Sequence, residues 1–403
     1  MGAGRSPSQE ELRIMGRVPE VRVRAEAARR VASGRLWLTR RDLLKPPEIG
    51  PGEEVRLLSP EGFFLGRGYF NPESRIPVRI YTREDHPLDH RFLVRVLSQA
   101  LALRQRVYPG EETFRLVHGE GDYLPGLTVD LYRGVAVVQI ATAGMERRRE
   151  EILSALREVL SPKGVILRND LPVRKEEGLS LYTEVVWGEV SGPVEVRMDG
   201  LRFLVDPLRG QKTGFFLDHR ENRRWVRRIA RDLVVLDLYA YTGAFGLYAL
   251  SGGARRVFAV ERSAEALALA EENARLNGFS SQFFPLQGRV EEFLRDAPDA
   301  GLIILDPPAF IKSGKARESG RRKYAEINRL VLSSLRKGLF FTSSCSRFLS
   351  SEELLALVRQ GARGVSLKLL SRHFQAPDHP ENPAHPETSY LKGFTFEVTE
   401  PSG

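Results

Sequence analysis

Only one cysteine stands among the 403 residues, which excludes intrachain disulfides and any zinc site built on several thiolates. That scarcity fits a reducing, cytoplasmic setting. Long hydrophobic runs are missing as well. The longest uncharged stretch, residues 238–254, has 17 residues with four glycines, too short and too glycine-rich for a membrane span. The first residues carry Arg and Glu without an apolar core segment, so no secretory signal is predicted. Apolar residues make up 42% and charged residues 28%, ordinary usage that excludes disordered and low-complexity classes. No internal repeat is visible.

What the chain has in excess is positive charge, unevenly placed. The formal net charge is +9. Residues 1–50 carry 11 basic and 6 acidic side chains, 201–250 carry 9 and 5, and 301–350 carry 10 and 3, while the rest is net acidic. Concentrated basicity suits a polyanion-binding face. An arginine-rich solvated surface would give the same sum, so charge alone leaves both readings open.

The length is enough for two or three cores. Residues 1–20 read as a tail. From 21 to 88 short apolar runs at 54–58, 63–69 and 77–81 alternate with Pro/Gly turns, which predicts a small β-barrel-like module. Helical apolar spacing over 89–109 predicts a connecting helix. Residues 110–206 read as a central α+β domain, strand–strand–helix–strand–strand, with its helix at 145–160 and Arg147, Arg148, Arg149, Glu150 and Glu151 on a charged face. From 207 to 403 the texture becomes alternating β and α. Strands are predicted at 233–238, 256–261, 283–287, 301–306, 338–343, 365–370 and 393–398, with helices at 264–276, 317–336 and 352–361. Seven strands with crossover helices predict an α/β fold with an open, doubly wound, Rossmann-like sheet. Ligands of such sheets bind beyond the carboxyl ends of the strands.

Four features sit at those ends. In VVLDLYAYTGAFG (234–246) a strand ends near Asp237, and a turn on Gly243 and Gly246 opens a helix. The first glycine of G-x-G-x-x-G is replaced by Ala240 or Tyr241, which argues against a diphosphate and admits a smaller ligand such as S-adenosylmethionine. Glu261 ends the second strand, where a carboxylate can accept both ribose hydroxyls of a nucleoside. These two features fit both an NAD fold and a methyl-donor fold, and also a tight turn with no ligand. Asp306-Pro307-Pro308-Ala309-Phe310 ends the fourth strand; its prolines remove two N–H donors and stiffen the loop, leaving Asp306 at the sheet edge and Phe310 free to stack on a base. Ser343-Ser344-Cys345-Ser346 ends the fifth strand. A core cysteine belongs mid-strand, but this one lies in a polar run at the rim, beside Asp306 if strands four and five are neighbours. Directly after Phe310 come Lys312, Lys315, Arg317, Arg321, Arg322 and Lys323, opposed locally by Glu318 alone, which reads as a phosphate clamp or a solvated helix face.

With these segments in hand, the sequence resembles the bacterial 23S ribosomal-RNA 5-methylcytosine methyltransferases, which combine a PUA RNA-binding domain, a central domain and a class I methyltransferase domain. The matches are RLVHGEGDYLPGLTVDLY (115–132), GQKTGFFLDHRENR (210–223), DPPAF (306–310), SSCS (343–346) and HPETSYLKG (385–393), with GRLWLTRRDL (34–43) following the PUA pattern more loosely. The resemblance implies S-adenosylmethionine as cofactor. It places Gln211, Phe215, Asp218 and Arg220 in the methyl-donor pocket with Asp237, Gly243 and Glu261. It makes Asp306 the holder of the cytosine edge and Cys345 the nucleophile. Two positions depart from the pattern. His219 stands where the family usually has Gln, and Arg289 takes the adenine-side position at which many methyltransferases carry an acidic residue. The implied partner is 23S rRNA, naked or in a large-subunit precursor, bound in part by Phe310, Lys312, Lys315, Arg321 and Arg322. A homodimer is the implied assembly to test, and no membrane or metal is implied. The competing readings are an RNA guanine or adenine N-methyltransferase, which needs no thiol, and a non-catalytic RNA-binding or ribosome-assembly protein.

Overall fold

The computed structural model describes residues 18–311 and 313–401. The chain forms two compact units, neither of them contiguous. The first takes the residues up to Val194 together with Asp206–Gly214 and Pro377–Thr388; the second takes Glu195–Val205, Phe215–Ala376 and the residues from Ser389 on. Most of the expected tail 1–20 lies outside the described residues. Its last member, Glu20, already opens the strand Glu20–Arg22, paired in parallel with Glu53–Leu58.

In the first unit, a five-stranded sheet runs in the order Glu20–Arg22, Glu53–Leu58, Phe64–Phe70, Val78–Thr82, Trp37–Leu38. Val21, Val55, Leu57, Phe70, Val78 and Ile80 fill its core. A β-carbon at Gly68 would lie 2.4 Å from the Arg79 carbonyl oxygen, so glycine permits the close strand approach beside a bulge. The connecting helix is His90–Val107, capped by Asp89 Oδ1, which accepts the Phe92 N–H at 2.8 Å. A second five-stranded sheet follows in the order Tyr182–Trp187, Gly164–Asn169, Val135–Ile140, Leu127–Tyr132, Thr113–His118.

Two expectations for this region need correction. Three strands, not two, precede the helix. The helix expected over 145–160 is broken into Ala143–Glu146 and Arg149–Leu160, because Arg148 leaves helical geometry (φ −104°, ψ 17°). Gly144 explains the tight first turn: a β-carbon there would lie 2.0 Å from the Tyr69 ring.

The hairpin Val194–Met198 and Leu201–Val205 belongs, but for its first residue, to the second unit. Asn277 Oδ1 and Asn273 Oδ1 accept the Arg202 and Leu204 N–H groups at 2.9 and 2.7 Å. The seven expected strands are present: β1 Val234–Leu238, β2 Arg256–Glu261, β3 Phe283–Gln287, β4 Leu302–Leu305, β5 Gly338–Ser344, β6 Ser366–Phe374 and β7 Lys392–Thr399. Their order is 3-2-1-4-5-7-6, with β7 antiparallel to both neighbours and the pairs among β1–β5 parallel. Continuous apolar runs such as Leu302–Leu305 are buried throughout, as a sheet covered on both faces requires. The longer helices are α1 Arg220–Ile229, α2 Ala244–Ser251, α3 Ala264–Leu276, α4 Arg317–Ser334 and α5 Ser351–Gly361. Ser263 caps α3, and a Ser350/Glu353 capping box starts α5. Among the described residues no helix is long and apolar enough to cross a membrane.

Candidate active site

The carboxyl end of β1 turns sharply. Tyr239, Tyr241 and Gly243 all have left-handed backbones (φ 61°, 50° and 76°). A tyrosine in that region costs about 1–2 kcal/mol relative to glycine. Tyr241, standing where the first glycine of the nucleotide fingerprint would be, is held there because its N–H donates to Glu261 Oε2 at 3.1 Å. Gly243 and Gly246 are required for packing: β-carbons would lie 2.8 Å from the Phe283 ring and 2.6 Å from Val257. Asp237 Oδ2 accepts the Gly246 N–H at 2.9 Å. Burial pushes Asp237 up to about 7, with the Asp306 and Glu261 carboxylates adding to it against the Gly246 bond and Arg223.

Glu261 also accepts the Arg262 and Ser263 N–H groups at 2.7 and 3.0 Å, so its carboxylate is fixed at the strand end. Phe215 is buried under the Arg223 guanidinium, 4.6 Å from its ring. Asp218 Oδ2 accepts from the Tyr390 hydroxyl at 2.6 Å. Arg220 is directed to Asp199 Oδ1 at 3.1 Å, where Arg224 also donates, while the Tyr248 hydroxyl donates to Oδ2, and these partners outweigh burial to hold Asp199 down at about 2. Gln211 lies in the first unit. Arg289 extends into solvent beside Glu291 and Glu292, at 3.6 and 3.7 Å.

Sequence patterning missed Arg223. It is buried, its Nη2 donates to the Phe216 carbonyl at 2.6 Å, and its Nε and Nη1 have no hydrogen-bond partner among the described residues. Burial lowers its pKa, and the charges of Asp218, Asp306 and Asp237 work against that. Unsatisfied guanidinium donors of this kind can take a ligand carboxylate, and a fixed carboxylate such as Glu261 can accept from a pair of hydroxyls.

β4 and β5 bring the second pair of motifs together. Leu305 is in register with Thr342, so the next residues on each strand, Asp306 and Ser343, lie side by side. The Ser343 hydroxyl donates to Asp306 Oδ1, and His219 Nε2 lies 3.2 Å from Oδ2. Burial alone would raise Asp306, but the His219 charge and bond and the Ser343 bond outweigh it and hold the group below the usual carboxylate range. Cys345, partly exposed, follows Ser343 by two residues, the repeat that returns to one face of a strand. Tyr324, also missed by patterning, ties the two loops. Its hydroxyl accepts from Ser344 Oγ at 2.8 Å and from the Phe310 N–H at 3.4 Å. Burial and the neighbouring Cys345 push the phenol up to about 12. The Ser346 hydroxyl donates to the Ile311 carbonyl at 2.8 Å.

The basic cluster is less open than its sequence implies. Arg317 and Arg321 both pair with Glu353 of α5, so Glu318 is not the only opposing carboxylate. Lys315 and Arg322 are exposed, and Lys312 lies outside the described residues. Phe310 is partly buried, with its ring 4.9 Å from that of Tyr324. Beside the Cys345 loop a cavity of about 670 Å³ is lined by Arg317, Arg347, Phe348, Phe374, Tyr390 and Lys392, among others.

Comparison with known proteins adds to this geometry. Residues 114–386 match the family described as S-adenosylmethionine-dependent methyltransferase, and residues 21–83 match a PUA-like domain. The ribosomal RNA large subunit methyltransferase I of Alteromonas mediterranea is 38% identical over 360 residues, covering 87% of this chain and 91% of that protein. A solved SAM-dependent methyltransferase from Streptococcus mutans has a TM-score of 0.82 at 22% identity, covering 94% of this chain and all of that one. Another solved methyltransferase, complexed with SAH, has a TM-score of 0.83 at 21% identity over the same shares.

Proposed function

Because the chain belongs to the family of ribosomal RNA large subunit methyltransferases I, whose cofactor is S-adenosylmethionine, we propose that it forms 5-methylcytosine in 23S rRNA through a transient bond from Cys345 to carbon 6 of the target base. The observation that carries the reading is the meeting of Asp306 with Ser343, two residues before the only thiol.

Carbon 5 of cytosine is too weakly nucleophilic to take a methyl group unaided. The Cys345 thiolate donates its electron pair to carbon 6, and the carbon 5–carbon 6 π pair moves onto the ring as an enamine, nucleophilic at carbon 5. The bound donor supplies an electrophilic methyl group on a sulfonium. As the thiolate adds, N3 takes a proton from water and the enamine is neutral. Alkylation at carbon 5 then leaves positive charge shared by N3 and the exocyclic amine, which Asp306, kept as a carboxylate by His219 and Ser343, offsets by accepting from that amine. N3 gives its proton back once the thiolate has left. A base then takes the carbon-5 proton, the freed pair restores the ring double bond, and the thiolate leaves. The target must be unstacked for the thiol to reach it.

In this reading Glu261 holds the donor's ribose hydroxyls, and the unsatisfied Arg223 donors take its carboxylate. Asp237, Gly243, Phe215 and Asp218 complete the pocket, Arg220 braces it through Asp199, and Arg289 stays at the outer rim. Residues 21–88 grip RNA, 89–109 connect, the rest of the first unit forms the central domain, and the second unit, Glu195–Val205, Phe215–Ala376 and the residues from Ser389 on, catalyses, all in the cytoplasm. Incubating the protein with rRNA and a labelled donor, then digesting to nucleosides for mass spectrometry, should yield 5-methylcytidine. A methylated purine would hand the reaction to the nitrogen-methyltransferase alternative.

Two further results are expected. Glu261→Gln removes the charge that strengthens hydrogen bonds to the ribose, worth about 1.5–3 kcal/mol, so donor affinity by calorimetry should fall roughly tenfold or more with the fold retained. Unchanged affinity would reject the ribose assignment. Replacing Lys315 and Arg322 with Ala should flatten the salt dependence of RNA binding by roughly 1.4 in the log–log slope, at about 0.7 per lost contact with a single strand. Arg321→Ala should add little because Glu353 already occupies that guanidinium. An unaltered slope in the double variant would leave the cluster as a solvated face.

A further inference from the structure

Strand β7 begins at Lys392, and the β5–β7 register sets Lys392 opposite Ser344, the residue before Cys345. The side chain is only 7% exposed. Its ammonium donates to the carbonyl of Ser346, the residue after Cys345, and to that of Leu349 at 2.7 Å. Lys392 is therefore tied to both neighbours of the thiol, to Ser344 by backbone register and to Ser346 through its ammonium. Among the described residues no carboxylate forms an ion pair with it. A buried, unpaired charge is expensive, so such a lysine normally has its charge balanced by something.

Resting on the reading of Cys345 as nucleophile, we infer that Lys392 is a positioning residue that clamps the Cys345 turn and turns an otherwise unpaired positive charge toward the sulfur, so that the thiolate is its counter-ion. Burial lowers Lys392 to about 8, and the negative charge of Cys345, followed by that of Glu353, acts in the opposite direction. That influence is mutual: whatever the thiolate does to keep the ammonium charged, the ammonium does to keep the thiol ionised. The other charged and titratable groups around the turn do not replace it. Asp306 at the end of β4 opposes ionisation and is itself occupied by His219 and Ser343. Tyr324 of α4 stays a neutral phenol at physiological pH. Arg347 within the turn is exposed, and Glu353 of α5 is held by Arg317 and Arg321.

The test exploits the fact that Cys345 is the only thiol, so alkylation of the intact protein by iodoacetamide reports on it alone. The rate is measured against pH in wild type, Lys392→Gln and Lys392→Arg. Glutamine can still donate to both carbonyls but carries no charge, which separates the clamp from the field. Wild type should show an inflection below the roughly 8.5 of an ordinary cysteine. Lys392→Gln should move it up by about one unit, lowering the alkylation rate at pH 7 about tenfold, and Lys392→Arg should restore it. Coincident profiles for wild type and a folded Lys392→Gln protein would overturn the inference. So would a wild-type inflection at or above 8.5, which decides the matter even if the variants do not fold. Because no RNA or donor is present, this result is independent of whether Cys345 proves to be the methylation nucleophile.

Discussion

Cys345→Ala should abolish methylation and yet bind S-adenosylmethionine as the wild type does. The two effects separate because the thiol lies at the end of β5, while the donor-side groups Asp237, Gly243 and Glu261 lie on β1 and β2 and beyond. Removing the nucleophile leaves carbon 5 with no route to an enamine, so the loss should reach the background rate rather than a modest fraction. RNA carrying 5-fluorocytidine at the target makes the covalent step visible. Fluorine cannot depart as a cation, so the wild-type protein should stall after methyl transfer as an RNA adduct that survives a denaturing gel and requires the donor. The alanine variant should give no such band. An active Cys345→Ala enzyme would falsify the covalent reading and favour methylation at a ring or exocyclic nitrogen.

Asp306→Asn should lower single-turnover methylation by about 10²–10³-fold, the scale of losing one preorganised group aimed at developing charge. RNA and donor affinities should change much less, since the interaction strengthens as charge appears on the base. The pH dependence has a definite sign. Burial tends to raise Asp306, but His219 and Ser343 bring it below the ordinary carboxylate value, so the carboxylate is present throughout the neutral range and is lost only in acid, below where an ordinary carboxylate titrates. The wild-type rate should therefore show no inflection from Asp306 near neutrality. A neutral-range inflection that disappears in Asp306→Asn would mean that the group works as an acid.

The sheet was legible because its strands are short apolar blocks between turns, and Ser263 and Ser350 announce their helices as caps. The meeting of β4 and β5 followed from sheet topology, and with it the pairing of Asp306 with the cysteine loop. α1 was invisible for a definite reason: its buried face is Arg220, Asn222, Arg223 and Val226, so three of four inward positions look like solvent positions. Arg223 was hidden by the same disguise. Lys392 and Tyr324 reach the Cys345 loop from β7 and α4, and nothing local to those segments signals the meeting. The Arg321–Glu353 pair joins residues 32 apart, beyond any i,i+4 pattern, which is why the basic cluster looked more open than it is.

The discontinuity of the two units has a consequence for taking the molecule apart. Between β6 and β7 the chain leaves the second unit at Ala376, contributes Pro377–Thr388 to the first, and returns at Ser389. No uninterrupted length of polypeptide consists of one unit alone, so neither can be obtained by trimming the ends. A protease nick anywhere in 377–388 would sever the covalent link to β7, and with it Lys392, while sparing every other strand of the sheet. Limited digestion in that stretch, followed by separation under native conditions, would then measure how strongly one antiparallel strand is retained by β5 and β6 without a peptide bond to hold it.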